Sequence, residues 1–359
     1  MTRAGCCESG PKNLAELSFA SRLTGRMMKA EGLTAGVIVP VYNGESTIAS
    51  CIESLLSQVG MDGRFEVIVV ENGSTDRTTE IVSRYPVRLF HNTVRGPAAA
   101  RQFGLMQSQA DIVAFTDADC YADPHWLEEL IKPYADSKVG GVGGAVLAYQ
   151  HAERNLVEQF ADRFTPLANF SGGNGEFMPR LHTCNASYRR ALLMQIGGFD
   201  TRLVTADDTD ISWRVQLKTG CRLAYAEKAV VYHHHRATRR GLAKQYRQYG
   251  YAEILLDTMY RHEAGYPRSR SWQVRRILKQ ASVLPLYAAS SVINRIRLAR
   301  GRANLFQATS PRLWFLAEGS NIRGKLEGLW VTRFMSDAEP ALKSDPEQLI
   351  DRYFQNRKE

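Results

Sequence analysis

Short apolar runs alternating with stretches of helical spacing constrain this chain more than any other feature. Gly36–Val41 (GVIVPV), Phe65–Val70 (FEVIVV) and Asp111–Thr116 (DIVAFT) are nearly continuous in apolar residues, and Val87–His91 reads as a further strand. Runs of this kind belong to strands covered on both faces. Between them, Glu45–Val59 places Ile48, Ile52, Leu55, Leu56 and Val59 at helical spacing. Ser74–Arg84, Pro97–Ser108 and Pro124–Tyr134 read as helices, with Pro97 at a start where its missing N–H costs least. The alternation predicts β-α-β units and a mostly parallel central sheet flanked by helices. Right-handed crossovers then gather the loops that follow the strands at one sheet edge, where ligands bind.

The second half is less regular. Val139–Tyr149 reads as a strand carrying Gly140, Gly141, Gly143 and Gly144. Glu153–Asn169 reads as a helix, Ser171–Gly175 as a flexible loop, Leu181–Tyr188 as a strand and Arg190–Ile196 as a helix. Asp208–Thr219 reads as a helix, and Arg222–Ala226 with Ala229–Tyr232 as strands. A long helix over Thr238–Arg261 mixes basic and aromatic residues. The organisation expected is a mobile leader over 1–35, an α/β catalytic body over 36–235, a basic helical region over 236–335 and a polar tail over 336–359.

Charge separates body from C-terminal region. The chain carries a net +9. Glu31 to Tyr232 holds 18 basic and 24 acidic side chains, whereas His233 to Arg333 holds 19 and 5. An excess of +14 in the second segment points to a polyanionic partner or to a solvated charged exterior. Six cysteines (Cys6, Cys7, Cys51, Cys120, Cys184, Cys221) show no zinc spacing, and a reducing, cytoplasmic setting is expected. No run of 18 apolar residues suggests a transmembrane helix.

Several polar clusters sit where the strands end. Asp117–Ala118–Asp119 follows DIVAFT, and paired carboxylates on a turn suit a hard divalent cation shared with phosphates, or else cap the next helix. Glu71 and Asn72 follow FEVIVV, where they can bond a base or ribose or serve an ordinary loop. Pro40, Tyr42 and Asn43 close the first strand. Arg101 lies on a helix beside the sheet edge, within reach of a phosphate. Asp207 and Asp208 open a helix, as caps favoured by its dipole or as a general base facing a hydroxyl. His233–His234–His235 follow a strand, and one of them can complete a metal site begun by Asp119.

In order, PVYN, ENGSTD, the stretch through ARQFG, FTDADC, NASYRRALLMQIGGFD, DDTDISWR and VVYHHH resemble the family-2 glycosyltransferases of GT-A fold, over Gly36 to His235. The resemblance implies a Rossmann-like sheet and inverting transfer from a nucleotide-diphosphate sugar, UDP-sugar favoured, to a hydroxyl of a saccharide or lipid-linked saccharide. Pro40, Tyr42, Glu45, Glu71, Asn72, Arg101 and Asp117 would line the donor pocket. Asp119 and His233 would hold Mn²⁺ or Mg²⁺. Asp208 would be the catalytic base, beside Asp207. Cell-envelope or exopolysaccharide synthesis is the implied setting. Processive members of the family carry Q-x-x-R-W, from which Gln245–Tyr249 (QYRQY) departs, so a single addition is expected.

The basic region, with Ile277, Leu278, Val283, Leu284 and Leu286 among its arginines, suits peripheral contact with an anionic membrane surface, or a packed subdomain with a charged exterior. A nucleotidyltransferase would want a lysine in the first loop, which PVYNGES lacks. A polyanion-binding protein without enzymatic activity would want a nucleic-acid recognition module, and none is recognisable, so no nucleic-acid partner is expected.

Overall fold

A computed structural model describes residues 32–150, 154–164, 177–203, 205–267 and 269–333, without the side chains of Arg270 and Arg333. The expected leader over 1–35 therefore lies almost wholly outside the described residues, as do the Ser171–Gly175 loop and the polar tail.

The first strands form as their apolar runs demand. β1 (Ala35–Val41) pairs in parallel with β2 (Phe65–Glu71) on one side and β4 (Ile112–Thr116) on the other, and β3 (Arg88–His91) extends the sheet beyond β2. Helices α1 (Ile48–Leu56), α2 (Thr78–Val82) and α3 (Pro97–Gln107) connect them. Two buried apolar clusters cover the sheet, one holding Val37, Val39 and Val69 and the other Ile38, Ile68 and Val70. Adjacent strand residues thus bury opposite faces. Gly104 lets α3 close on the sheet, because a Cβ there would meet the Ile38 side chain at 2.5 Å.

Beyond β4 the sheet changes direction. Its order is β3-β2-β1-β4-β7-β6-β8-β5, with β5 (Cys120–Ala122), β6 (Val139–Ala148), β7 (Asn185–Arg189) and β8 (Arg222–His233). β7 runs antiparallel to both β4 and β6, β6 and β8 are parallel, and β5 is antiparallel to β8. The sheet is more mixed than strand-helix alternation predicts, and β5 is too short to show in the apolar pattern. The strand expected over Leu181–Tyr188 begins at Asn185. The two strands expected over 222–232 are one, with register shifting between its pairing at Ala226 and at Val230. Asn185 secures that irregularity. Its buried amide donates to the carbonyls of Ala145 and Ala229, each at 2.8 Å, and its oxygen accepts from Trp126 Nε1. Gly144 is required beside it, since a Cβ would lie 2.0 Å from the Ala229 oxygen.

The other α-helices among the described residues are α4 (Trp126–Ile131), α5 (Leu156–Phe164), α6 (Arg190–Gln195), α7 (Asp207–Thr219), α8 (Arg239–Tyr260), α9 (Arg270–Ala299) and α10 (Leu305–Arg333). The C-terminal region is helical, as its sequence suggests. α10 packs along α8 and against α9. The backbones of α8 and α10 approach closely at Gly250 and Gly324, where a Cβ would lie 2.0 and 1.9 Å from a carbonyl of the facing helix. Tyr260 and Trp213, with ring centroids 4.9 Å apart, join α8 to α7. Lys325 is fully buried and reaches Glu253 on α8 at 3.0 Å and Gln280 on α9 at 2.8 Å, which ties the three helices together. Cys51, Cys120, Cys184 and Cys221 are free thiols.

Candidate active site

The loops after β1, β2 and β4 meet at one sheet edge. Asn43 stands at φ 51°, its N–H donates to Ser74 Oγ, and its side-chain oxygen accepts the Thr75 N–H at 2.8 Å. The Glu45 N–H donates to Asp76, and the Glu45 carboxylate accepts the Arg77 N–H at 3.2 Å. Buried Glu71 accepts from the Ser74 N–H and faces His91 Nδ1 at 3.1 Å. Burial alone would raise its carboxyl; the hydrogen bonds from Ser74 and His91 overcome that and hold it below the ordinary value. Asn72 donates to the Asn92 and Val94 carbonyls and accepts the Gly96 N–H. Glu71 and Asn72 therefore spend much of their hydrogen bonding on shaping the rim. Pro40 is half-buried at the end of β1, and Tyr42 projects from the rim with 54% of its surface exposed.

Asp117 and Asp119, one residue apart, face different partners. Asp117 accepts from Arg101 Nη2 at 2.7 Å, and the second terminal nitrogen of Arg101 donates to Asp207 at 2.8 Å. Arg101 is thus buried between two carboxylates rather than extended toward solvent. Burial opposes its charge, but Asp207 and then Asp117 outweigh that and push its pKa further up.

Asp119 is placed by strand pairing. The β5–β8 ladder sets Cys120 opposite His233, and the His234 N–H donates to the Asp119 carbonyl at 2.9 Å. His233 Nε2 consequently lies 3.6 Å from Asp119 Oδ1, beyond hydrogen-bond range. Asp119 Oδ1 is buried and has no hydrogen-bond partner, a costly arrangement that a cation held between oxygen and imidazole nitrogen would relieve. Arg236 stands 3.5 Å from the other Asp119 oxygen. The Cys120 sulfur lies in the same group. Its hydrogen bond with Cys184, together with burial, holds that thiol well above its usual range, and the Asp119 carboxylate and His233 imidazole are the oxygen and nitrogen donors of the group. The other two histidines point elsewhere. His234 stacks on Tyr149 at 4.1 Å, and His235 packs edge-on against His233.

Asp207, Asp208 and Asp210 share the first turn of α7 but not a partner. Asp210 is held by Arg214 at 2.6 Å and by the Tyr260 hydroxyl at 2.6 Å. Asp207 faces Arg101; its burial pushes its carboxyl up, against the pull of that guanidinium. Asp208 Oδ2 lies 3.1 Å from His182 Nδ1, and its Oδ1 accepts the Thr209 N–H at 2.7 Å. Burial works to raise Asp208, but His182 first, then Arg180 and Thr209, bring it down to about 2. Of the adjacent pair, Asp208 is the more acidic carboxyl. Ala206, just before them, has φ 65°, a strained value for a residue with a Cβ.

Two contributors were absent from the sequence-based site. His182 lies between strand and loop in LHTCN, and nothing in its surroundings marks it before the fold brings it to α7. Tyr249 on α8 bonds Gln245 at 2.9 Å. It keeps 42% of its surface exposed and stands close enough to Asp208 to feel that charge.

Residues 36–197 match the family model "Glycosyl transferase family 2". Over 217 residues the chain is 29% identical to glycosyltransferase AglE of Haloferax volcanii, covering 59% of this chain and 70% of that one. It is 28% identical to the pre-mycofactocin glycosyltransferase of Mycobacterium tuberculosis, covering 57% of this chain but only 43% of that protein. A mannosyltransferase from Pyrobaculum calidifontis, solved with GDP-Man and Mn²⁺, superposes with a TM-score of 0.58 at 22% identity, over 88% of this chain and 94% of that one. That likeness is one of fold.

Proposed function

We propose that this chain, which belongs to the family 2 glycosyltransferases through residues 36–197, moves a sugar with inversion from a nucleotide-diphosphate sugar to a hydroxyl on a saccharide or lipid-linked saccharide. One observation carries the reading. Arg101 joins the carboxylate turn after β4 to the carboxylate turn opening α7 through its bonds to Asp117 and Asp207.

In this reading Asp208 is the general base. It is ionised, it stands next to the bridged Asp207, and one of its oxygens is oriented by His182. It takes the acceptor proton as the hydroxyl oxygen attacks the anomeric carbon and the diphosphate leaves. Asp207, held by Arg101, fixes the start of α7 and so the position of Asp208. Pro40, Tyr42, Glu45, Glu71, Asn72 and Asp117 shape the donor pocket, with Tyr42 free to stack on the base. Arg101 serves the donor through Asp117. Asp119 and His233 fit Mn²⁺ or Mg²⁺, which would supply charge neutralisation at the leaving diphosphate. The catalytic body spans 36–235 and carries the basic C-terminal region of 236–335.

A thermal-shift screen of nucleotide-sugars with Mn²⁺ tests this reading. UDP-sugars are expected to raise the melting temperature, with GDP-mannose as the comparison donor because the Pyrobaculum enzyme was solved with it. No shift with any nucleotide-sugar contradicts it.

A further inference from the structure

We propose that α9 is a docking surface for an anionic lipid bilayer, lying on the membrane rather than crossing it. This goes beyond the transfer chemistry and does not depend on it.

The helix has two unlike sides. Its inner side is committed to protein: Ile277 and Gln273 are buried, Arg276 bonds Glu253 on α8, and Gln280 bonds Glu318 and Lys325 on α10. Its outer side exposes large apolar residues. Leu278 and Leu286 are 64% and 66% exposed, and Val292, Ile293 and Ile296 are 60%, 56% and 48% exposed. Steps of three, four, seven and eight residues connect most of them, so they run as a stripe along the helix.

Charge around the stripe is of one sign. No Asp or Glu occurs from 270 to 302, while Arg275, Lys279, Arg295, Arg297, Arg300 and Arg302 are all exposed. No described helix is long and apolar enough to cross a membrane. An apolar stripe flanked only by cations suits the headgroup boundary of anionic lipid, where leucine and isoleucine enter the acyl region and arginine meets phosphate. A second copy of this chain would set one cationic stripe against another. A nucleic acid would satisfy the arginines and leave the leucines in water. Lipid satisfies both.

Vesicle co-sedimentation of the full chain tests the proposal, using phosphatidylcholine alone and phosphatidylcholine mixed with phosphatidylglycerol. The full chain is expected to sediment with the mixed vesicles, to stay in solution with the neutral ones, and to be released as salt rises. Leu278→Glu with Leu286→Glu, and separately Arg295→Glu with Arg297→Glu, are each expected to weaken binding roughly tenfold or more at an unchanged melting temperature. Equal binding to both vesicle types, binding to neither, or full binding by both variants overturns the proposal. So does a dimer in solution that the leucine variant dissociates, which would give the stripe to a second copy. Should one variant fail to fold, the lipid and salt dependence of the unaltered chain decides. Nucleotide-sugar binding, measured on the same preparations, reports separately on the transfer reading.

Discussion

Arg101 and Asp207 are 106 positions apart in the chain and meet in a buried ion pair at 2.8 Å, with Asp117 completing the bridge. Removing the guanidinium leaves two carboxylates facing each other without a counter-charge. Arg101→Met is expected to cost about 3–5 kcal/mol, as for other broken buried pairs. Arg101→Lys should restore only part of this, because an ammonium lacks the fork that reaches both partners. Urea unfolding measures both, and a loss below ~1 kcal/mol for Arg101→Met, the size of an exposed pair, would contradict the bridging role.

The hydrogen bond between His182 and Asp208 predicts an effect on turnover more than on donor affinity. His182→Ala frees the carboxylate to rotate, and a loss of about 10²-fold in kcat is expected, with the donor KM nearly unchanged. His182→Asn, which can still donate, should recover part of the activity. Steady-state kinetics at several pH values checks this, and an unaltered kcat in His182→Ala would remove the positioning role.

Asp208 also links stability to pH. Its folded pKa of about 2 lies below the ordinary 3.8, so its stabilising contribution is complete above pH ~4 and lost as pH falls toward about 2. Melting curves of the wild-type protein and Asp208→Asn should therefore converge over that interval. A stability difference that stays constant from pH ~5 to ~2 would show that the carboxylate is not held in this way.

Asp119 and His233 predict a metal response separable from catalysis. Mn²⁺ is expected to raise the melting temperature of the wild-type protein, and Asp119→Asn or His233→Ala to abolish the rise. EDTA should stop transfer, and Mn²⁺ or Mg²⁺ should restore it. Full activity in chelator would remove the metal role from this pair.

The clarity of the sequence varied with the range of the forces involved. Continuous apolar runs such as GVIVPV announce buried strands because burial on both faces needs no long-range information. The positions of Asp117, Asp119, Asp207 and His233 at element ends were readable for the same reason. Most of their partners were not. A histidine of 233–235 beside Asp119 was expected, but the element that sets His233 there, the three-residue β5 paired with β8, leaves no local pattern. Arg101 read as a residue reaching for phosphate, because its two carboxylate partners come from different elements. The mixed strand directions past β4 follow from the return of β7 between β4 and β6, which local periodicity does not encode. His182 had no pattern at all, since its importance comes from where α7 begins.

The most direct measurement of the central claim uses Asp208→Asn, with donor binding by calorimetry set beside turnover on the same preparation. The account predicts unchanged nucleotide-sugar affinity and a fall in turnover on the order of 10²–10⁴-fold. Near-wild-type turnover in that variant would contradict it.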